Sequence, residues 1–117
     1  MSYDVSIVDS KGDTIHFPEP HQVAGGTYAV GGTSEAYFNI TYNYAPAFYR
    51  VLGDNGLRSL DGQLVATTLG RIEAAMKELK DDVSNNYWDA TEGNAKRALA
   101  GLLVLGYKAP EGKWKIE

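Results

Sequence analysis

Residues 35–50, EAYFNITYNYAPAFYR, decide how this chain folds. Phe38, Ile40, Tyr42 and Tyr44 recur at period two, and Asn39, Thr41 and Asn43 fall between them. Alternation of this kind marks a strand with one apolar face. At Ala45-Pro46 the pattern changes. Proline has no N–H for a strand ladder, but it suits the first turn of a helix. The stretch therefore reads as the last strand of an N-terminal sheet running straight into a short helix at residues 47–52. The interleaved Asn39, Thr41 and Asn43 place amides and a hydroxyl on a second face. That row is the least generic feature of the chain and marks a candidate polar site or interface.

Upstream, Tyr3, Val5 and Ile7 alternate along residues 3–8, which read as another strand. DSKGD at 9–13 forms a turn in which Gly12 is free to take positive φ. Residues 14–17 return as the hairpin partner. Pro18 and Pro20 then end the pairing, and residues 19–26 read as a loop. Gly25-Gly26 and Gly31-Gly32 bracket a short strand at 27–30. They read as turn glycines, since a phosphate-binding fingerprint needs a strand, a glycine turn and a helix. Consecutive hairpins are the simplest arrangement of these strands.

Downstream, GDNG at 53–56 stops the short helix, and Asp61 is a suitable N-cap for the next one. Val65, Leu69, Ile72, Met76 and Leu79 form one apolar stripe at helical spacing, which fades at Asp81-Asp82. The second unusual stretch is VSNNYWDATEG at 83–93. Asp89 to Glu92 has the form of a capping box, with Thr91 as the alternative cap. Ala95, Ala98, Leu99, Leu102 and Leu103 then make a broad apolar face, ended by Gly106, Pro110 and Gly112. Residues 113–117 are a short strand, with Trp114 and Ile116 on one side, available to extend the sheet. The expected fold is α+β in a single domain over 1–117. An N-terminal antiparallel sheet of four to five strands is followed by a short helix and two longer helices packed on one face.

With 117 residues and 44% hydrophobic content, the chain has enough apolar material for one core. Its net charge of −4 argues against a nucleic-acid-binding domain, which needs a basic stripe. An acidic protein suits a basic partner surface instead. The absence of cysteine excludes disulfides, thiolate catalysis and Cys-ligated zinc. The N-terminus has no positive region followed by an apolar run, so no signal peptide is expected. No apolar stretch approaches the roughly 18 residues of a membrane span. The expected location is the cytoplasm.

The candidate binding residues are Asn39, Thr41 and Asn43 together with Tyr87, Trp88, Asp89, Thr91 and Asn94. A strand end meeting a helix start would combine donors, acceptors and an aromatic plane. The helix N-terminus at 91–94 adds a dipole end suited to an anion. The plainer readings are a solvated strand face, Asp89 and Thr91 as caps, and Trp88 as a core plug. His16 and His21 are the only histidines. A metal centre needs further ligands at fixed geometry, and nothing supplies them. No nucleophile and base occur in a recognisable pattern, so the reading leans away from an enzyme, with no catalytic residue, metal or cofactor.

Two segments carry a resemblance. Asn39-Ile-Thr-Tyr-Asn43 with Pro46 and Phe48, and the run from Tyr87-Trp88 through Ala90-Thr91 to Gly93-Asn94-Ala95, resemble the N-x-T-x-N and YW-x-AT-x-GNA-like segments of a family of small bacteriophage- and prophage-encoded proteins. The resemblance spans residues 37–116 and brings no catalytic role. It implies a small accessory phage protein in the host bacterial cytosol. The expected function is a non-enzymatic protein that binds and inhibits a host factor, in the manner of an anti-CRISPR counter-defence protein. Its expected partner is a host protein, such as one with a basic nucleic-acid-binding surface. Neither direct nucleic-acid contact nor a membrane is expected, and the oligomeric state is left open. The alternative is a binder of a nucleotide-like or other polar metabolite, using the 39–43 strand and the 87–94 loop.

Overall fold

The computed structural model describes residues 2–21 and 33–117. Strand β1 (Ser2–Val8) is followed by β2 (His16–His21), β3 (Thr33–Glu35) and β4 (Tyr37–Thr41). A 3-10 turn at Tyr42–Tyr44 leads directly into helix α1 (Ala45–Leu52). A second 3-10 turn at Gly56–Leu60 precedes α2 (Val65–Lys77), α3 (Glu92–Lys108) and β5 (Lys113–Ile116). The fold is α+β, as the sequence predicts.

Strand β1 lies at the centre of a three-stranded antiparallel sheet in the order β4-β1-β5. Val5 is opposite Phe38 on one side and Ile116 on the other. The alternation read from sequence is the burial pattern observed. Tyr3, Val5, Ile7, Phe38, Ile40, Trp114 and Ile116 are buried, while Asp4, Lys113 and Lys115 are exposed. The helices cover the apolar face, contributing Phe48, Leu52, Ile72, Leu99 and Leu102 to the core. Gly106 makes the α2–α3 approach possible, because a Cβ there would lie 2.8 Å from Leu69 Cδ2 and 3.1 Å from Val65 Cγ1.

The strands are not consecutive hairpins in one sheet, because β2 and β3 pair separately as a two-stranded ribbon. The expected turn at 9–13 forms. The Asp9 carboxylate accepts from the Lys11 and Asp13 amides at 2.9 and 3.1 Å, and Gly12 has φ of 85°. Beyond it, direct pairing with β1 is limited to a bridge between Val8 and Thr14. Ala36 then inserts: Ile15 N–H donates to Ile7 C=O, Ile7 N–H to Ala36 C=O, and Ala36 N–H to Ile15 C=O. This cycle diverts β2 from β1 and delivers β4 in its place. Strand β2 runs through Pro18 and Pro20 into the expected loop. It meets β3 only at His16–Glu35 and His21–Thr33, with an irregular register between them. Two residues without N–H groups account for that gap. The strand expected at 27–30 and the glycine pairs flanking it lie outside the described residues.

Asp61 does not cap α2. Its carboxylate instead accepts the Ile116 N–H at 2.8 Å, fastening the end of β5. The first α2 amides are satisfied from a distant loop, with Val65 N–H donating to Gly112 C=O and Ala66 N–H to Pro110 C=O. One buried polar pair ties this helix to the sheet. Trp114 Nε1 donates to Thr68 Oγ1 at 2.8 Å, and that hydroxyl donates to Val65 C=O. Replacing Thr68 by Val orphans the indole N–H and is expected to cost about 1–3 kcal/mol in urea unfolding. Trp114→Phe made in the Thr68→Val background is expected to cost less than in the wild type. Strict additivity of the two changes would show that the hydrogen bond contributes nothing.

Candidate functional site

The site is built where β4 ends. Thr41 is only 1% exposed, and its hydroxyl accepts the Asn43 N–H at 3.2 Å, capping the first 3-10 turn. This turn stops the period-two alternation, so the expected row of Asn39, Thr41 and Asn43 does not form. Asn39 remains on the outer face of the sheet, donating to Ser2 Oγ at 2.7 Å and to Asp4 Oδ1 at 3.1 Å. Thr41 turns inward. Asn43 reaches sideways and donates to the Trp88 C=O at 2.8 Å.

The loop carrying Tyr87 docks on this junction through a reciprocal pair of bonds. Thr41 N–H donates to the Tyr87 hydroxyl at 2.9 Å, and the Tyr44 hydroxyl donates to the Tyr87 C=O. The Tyr44 and Tyr87 rings meet edge to face at 5.6 Å, a favoured aromatic geometry. Burial pushes the Tyr44 phenol up to about 12. Burial also raises Tyr87, while the Thr41 amide pulls the other way.

Asn94 is the hub of the loop. It opens α3 and is 4% exposed. Its Oδ1 accepts the Ser84 N–H at 3.0 Å, and its Nδ2 donates to the carbonyls of Asn86 and Asp89, both at 3.0 Å. Thr91, not Asp89, is the N-cap, accepting the Asn94 N–H at 3.1 Å. Asp89 instead accepts from the Ser84 hydroxyl and Asn86 Nδ2. Asn86 Oδ1 in turn accepts the Trp88 N–H at 3.1 Å. Gly93 allows the incoming chain to cross the helix start, since a Cβ there would lie 2.5 Å from Val83 N.

The chain therefore brings Thr41, Asn43, Tyr87, Trp88, Asp89, Thr91 and Asn94 together and leaves Asn39 apart. Most of their polar atoms are engaged with one another. The positive end of α3 is occupied as well: Gly93 N–H donates to Asp82 Oδ1 at 2.9 Å, so the anion at this terminus is the protein's own. Asp82, Ser84 and Asn86 were missed in the sequence reading. Their signal was present in the density of short polar side chains between 81 and 91, which favour side-chain-to-backbone turns.

Trp88 is the outward product of this arrangement. It is no core plug: the residue is 54% exposed, and its ring stands against Tyr87 at 4.9 Å. The buried tryptophan is Trp114. His16 is exposed, while His21 is buried with Nε2 against the Glu35 carbonyl. Among the described residues, no group of three or more His, Asp or Glu is placed to hold a metal ion. No helix among them is long and apolar enough to cross a membrane. No protein-family model, curated protein or solved structure matches the chain.

Two outcomes test this geometry. Asn94→Ala removes the partner of three backbone groups. It is expected to cost about 2–4 kcal/mol in unfolding free energy and to speed chymotryptic cleavage at Tyr87–Trp88. Cleavage at the wild-type rate would contradict the hub role. The Tyr44 phenol sets an alkaline limit. Its raised value means that the unfolded chain ionises first, near pH 10, while the folded chain resists ionisation to about 12. The associated stability is present below pH 10 and is lost as pH rises through 10 to about 12. Denaturant midpoints measured across that window should fall less steeply for Tyr44→Phe than for the wild type.

Proposed function

We propose that this protein is a non-enzymatic binder that inhibits a host protein through the loop at 84–91, with Trp88 as its anchor. The carrying observation is a tryptophan more than half exposed on a loop ordered by hydrogen bonds among its own residues. An aromatic side chain held this way offers a large contact area with little conformational entropy left to lose. Tryptophan is also among the residues that most often dominate binding energy at interfaces.

Charge supports a basic partner. Residues 78–92 contain Glu78, Asp81, Asp82, Asp89 and Glu92 against the single Lys80; Arg50 pairs with Glu92 and Lys96 with Asp81, which leaves Glu78, Asp82 and Asp89 without a cationic partner among the described residues. Val83, also exposed, adds apolar surface nearby in the chain. The phage-protein resemblance supplies the biological version of this reading, in which the target is a component of host defence with a basic nucleic-acid channel. The small-metabolite alternative draws less support, since the groups it would use are engaged within the loop and its junction.

The test is capture from bacterial host lysate by the wild type and by Trp88→Ala, at low salt and at about 0.5 M salt, where the screening length falls to a few ångströms. We expect a discrete protein retained by the wild type and released by salt. Its affinity should fall by at least about 30-fold in Trp88→Ala, the loss typical of an interface hot spot. Capture that ignores Trp88→Ala would overturn the reading. So would a small molecule co-purifying with the wild type and lost from Asn43→Ala.

A further inference from the structure

Arg58 stands apart from the Trp88 loop and presents a different chemistry. It lies on the second 3-10 turn, with Cζ 4.9 Å from the centre of the Tyr3 ring and 5.5 Å from that of Tyr42. The two rings meet edge to face at 4.6 Å, forming a corner around the guanidinium. Arg58 Nη2 donates to the Tyr42 hydroxyl at 2.9 Å. Tyr3 is only 2% exposed, so the ring beneath the cation is fixed in the core. The guanidinium is thus held by stacking on one ring and by a hydrogen bond to the other.

Its charge has no counterpart. The sequence carries 15 acidic residues, yet no carboxylate forms an ion pair with Arg58 among the described residues. Of the other arginines, only Arg50 has a carboxylate partner among the described residues. Arg50 pairs with Glu92 at 2.9 Å. Arg71 directs Nη2 to the Leu52 carbonyl and to Ser59 Oγ, placing a second cation beside the next residue of the same turn. Among the described residues, no aromatic ring lies beneath Arg97. A guanidinium has five N–H donors in a planar fork, and the bond to Tyr42 uses one. The remaining donors sit on an exposed residue. A planar fork matches the paired oxygens of a carboxylate or phosphate, and prior immobilisation removes much of the ordering cost of binding.

We infer that Arg58, held in the corner of Tyr3 and Tyr42, is a preformed binding site for an oxyanion, a carboxylate or a phosphate group. The Tyr42 hydroxyl acts as a positioning group that sets the direction of the fork. Exposed Tyr49 borders the same turn, since a Cβ at Gly56 would lie 3.0 Å from its ring.

The experiment is a nitrogen–proton NMR titration of the full chain with sodium phosphate and, separately, sodium acetate. Ionic strength is held constant with sodium chloride, and chloride alone is the control. The expected result is a saturable shift of Arg58 Nε–Hε and the amides of residues 56–60, absent with chloride. Saturation by phosphate but not acetate identifies a phosphate site, and the reverse identifies a carboxylate site. Arg58→Lys keeps the charge but loses the fork, and Tyr42→Phe keeps the fork but loses its anchor. Each should weaken binding by at least about fivefold, as expected when a paired, charge-assisted contact is lost. Non-saturating shifts, shifts equal at Arg58 and Arg97, or full-strength binding by Arg58→Lys would overturn the inference. Should a variant fail to fold, saturation at Arg58 Nε in the wild type decides the matter alone.

Discussion

The reciprocal bonding between Tyr87 and the end of β4 governs the rest of the candidate site. One tyrosine contributes its hydroxyl to the Thr41 amide and its carbonyl to the Tyr44 hydroxyl. A strand edge carries outward-pointing amides, and an unpaired amide in a buried setting is costly. Here that demand is met by a side chain 46 residues further along the chain. Meeting it places the loop, and the placed loop turns Trp88 outward. The exposed indole is thus a result of how the strand is closed.

The loop is then ordered by hydrogen bonds among its own polar side chains. Asn94, Asp89, Ser84 and Asn86 exchange donors and acceptors, while Asp82 lies at the amide end of α3. Arg50 bridges the Glu78 carbonyl and the Glu92 carboxylate, joining α1 to the segment between α2 and α3. Such a closed network orders a segment that has no regular secondary structure. It also separates two properties that are easily confused in a sequence: polar residues that await a ligand and polar residues that have already found one another.

That confusion marks the boundary of what was legible. Strand β1, the α2 stripe and the α3 face could be read because periodic burial is a one-dimensional signal. Val5 and Ile7, or Ile72 and Leu99, need no knowledge of their neighbours. Thr41 could not be read in this way. Its side chain follows the alternation only if the strand continues, and the capping bond that stops the strand is made by the same residue. Asp61 has the chemistry of a helix cap but is claimed by Ile116, 55 residues away. Trp88 and Trp114 are chemically identical, and only tertiary placement makes one exposed and the other core. The capping role of Thr91, a local matter, was legible as the second of two options. The two polar stretches meet in the fold, with Asn39 left apart, but the bonds that join them were not legible.

The central position of β1 has a kinetic consequence. Its hydrogen-bonding partners are β4 and β5, and Val5 is aligned with Ile116. The sheet is therefore closed by contacts between nearly the most distant residues described. Contacts of such long range bear their loop-closure entropy before they return any stabilisation, which slows folding. Until residues 113–116 arrive, β1 exposes a hydrogen-bonding edge flanked by Val5 and Ile7. Strands β1 to β4 all lie within residues 2–41 and can pair without β5, so the last step of sheet assembly should be the one most sensitive to anything that delays the final segment.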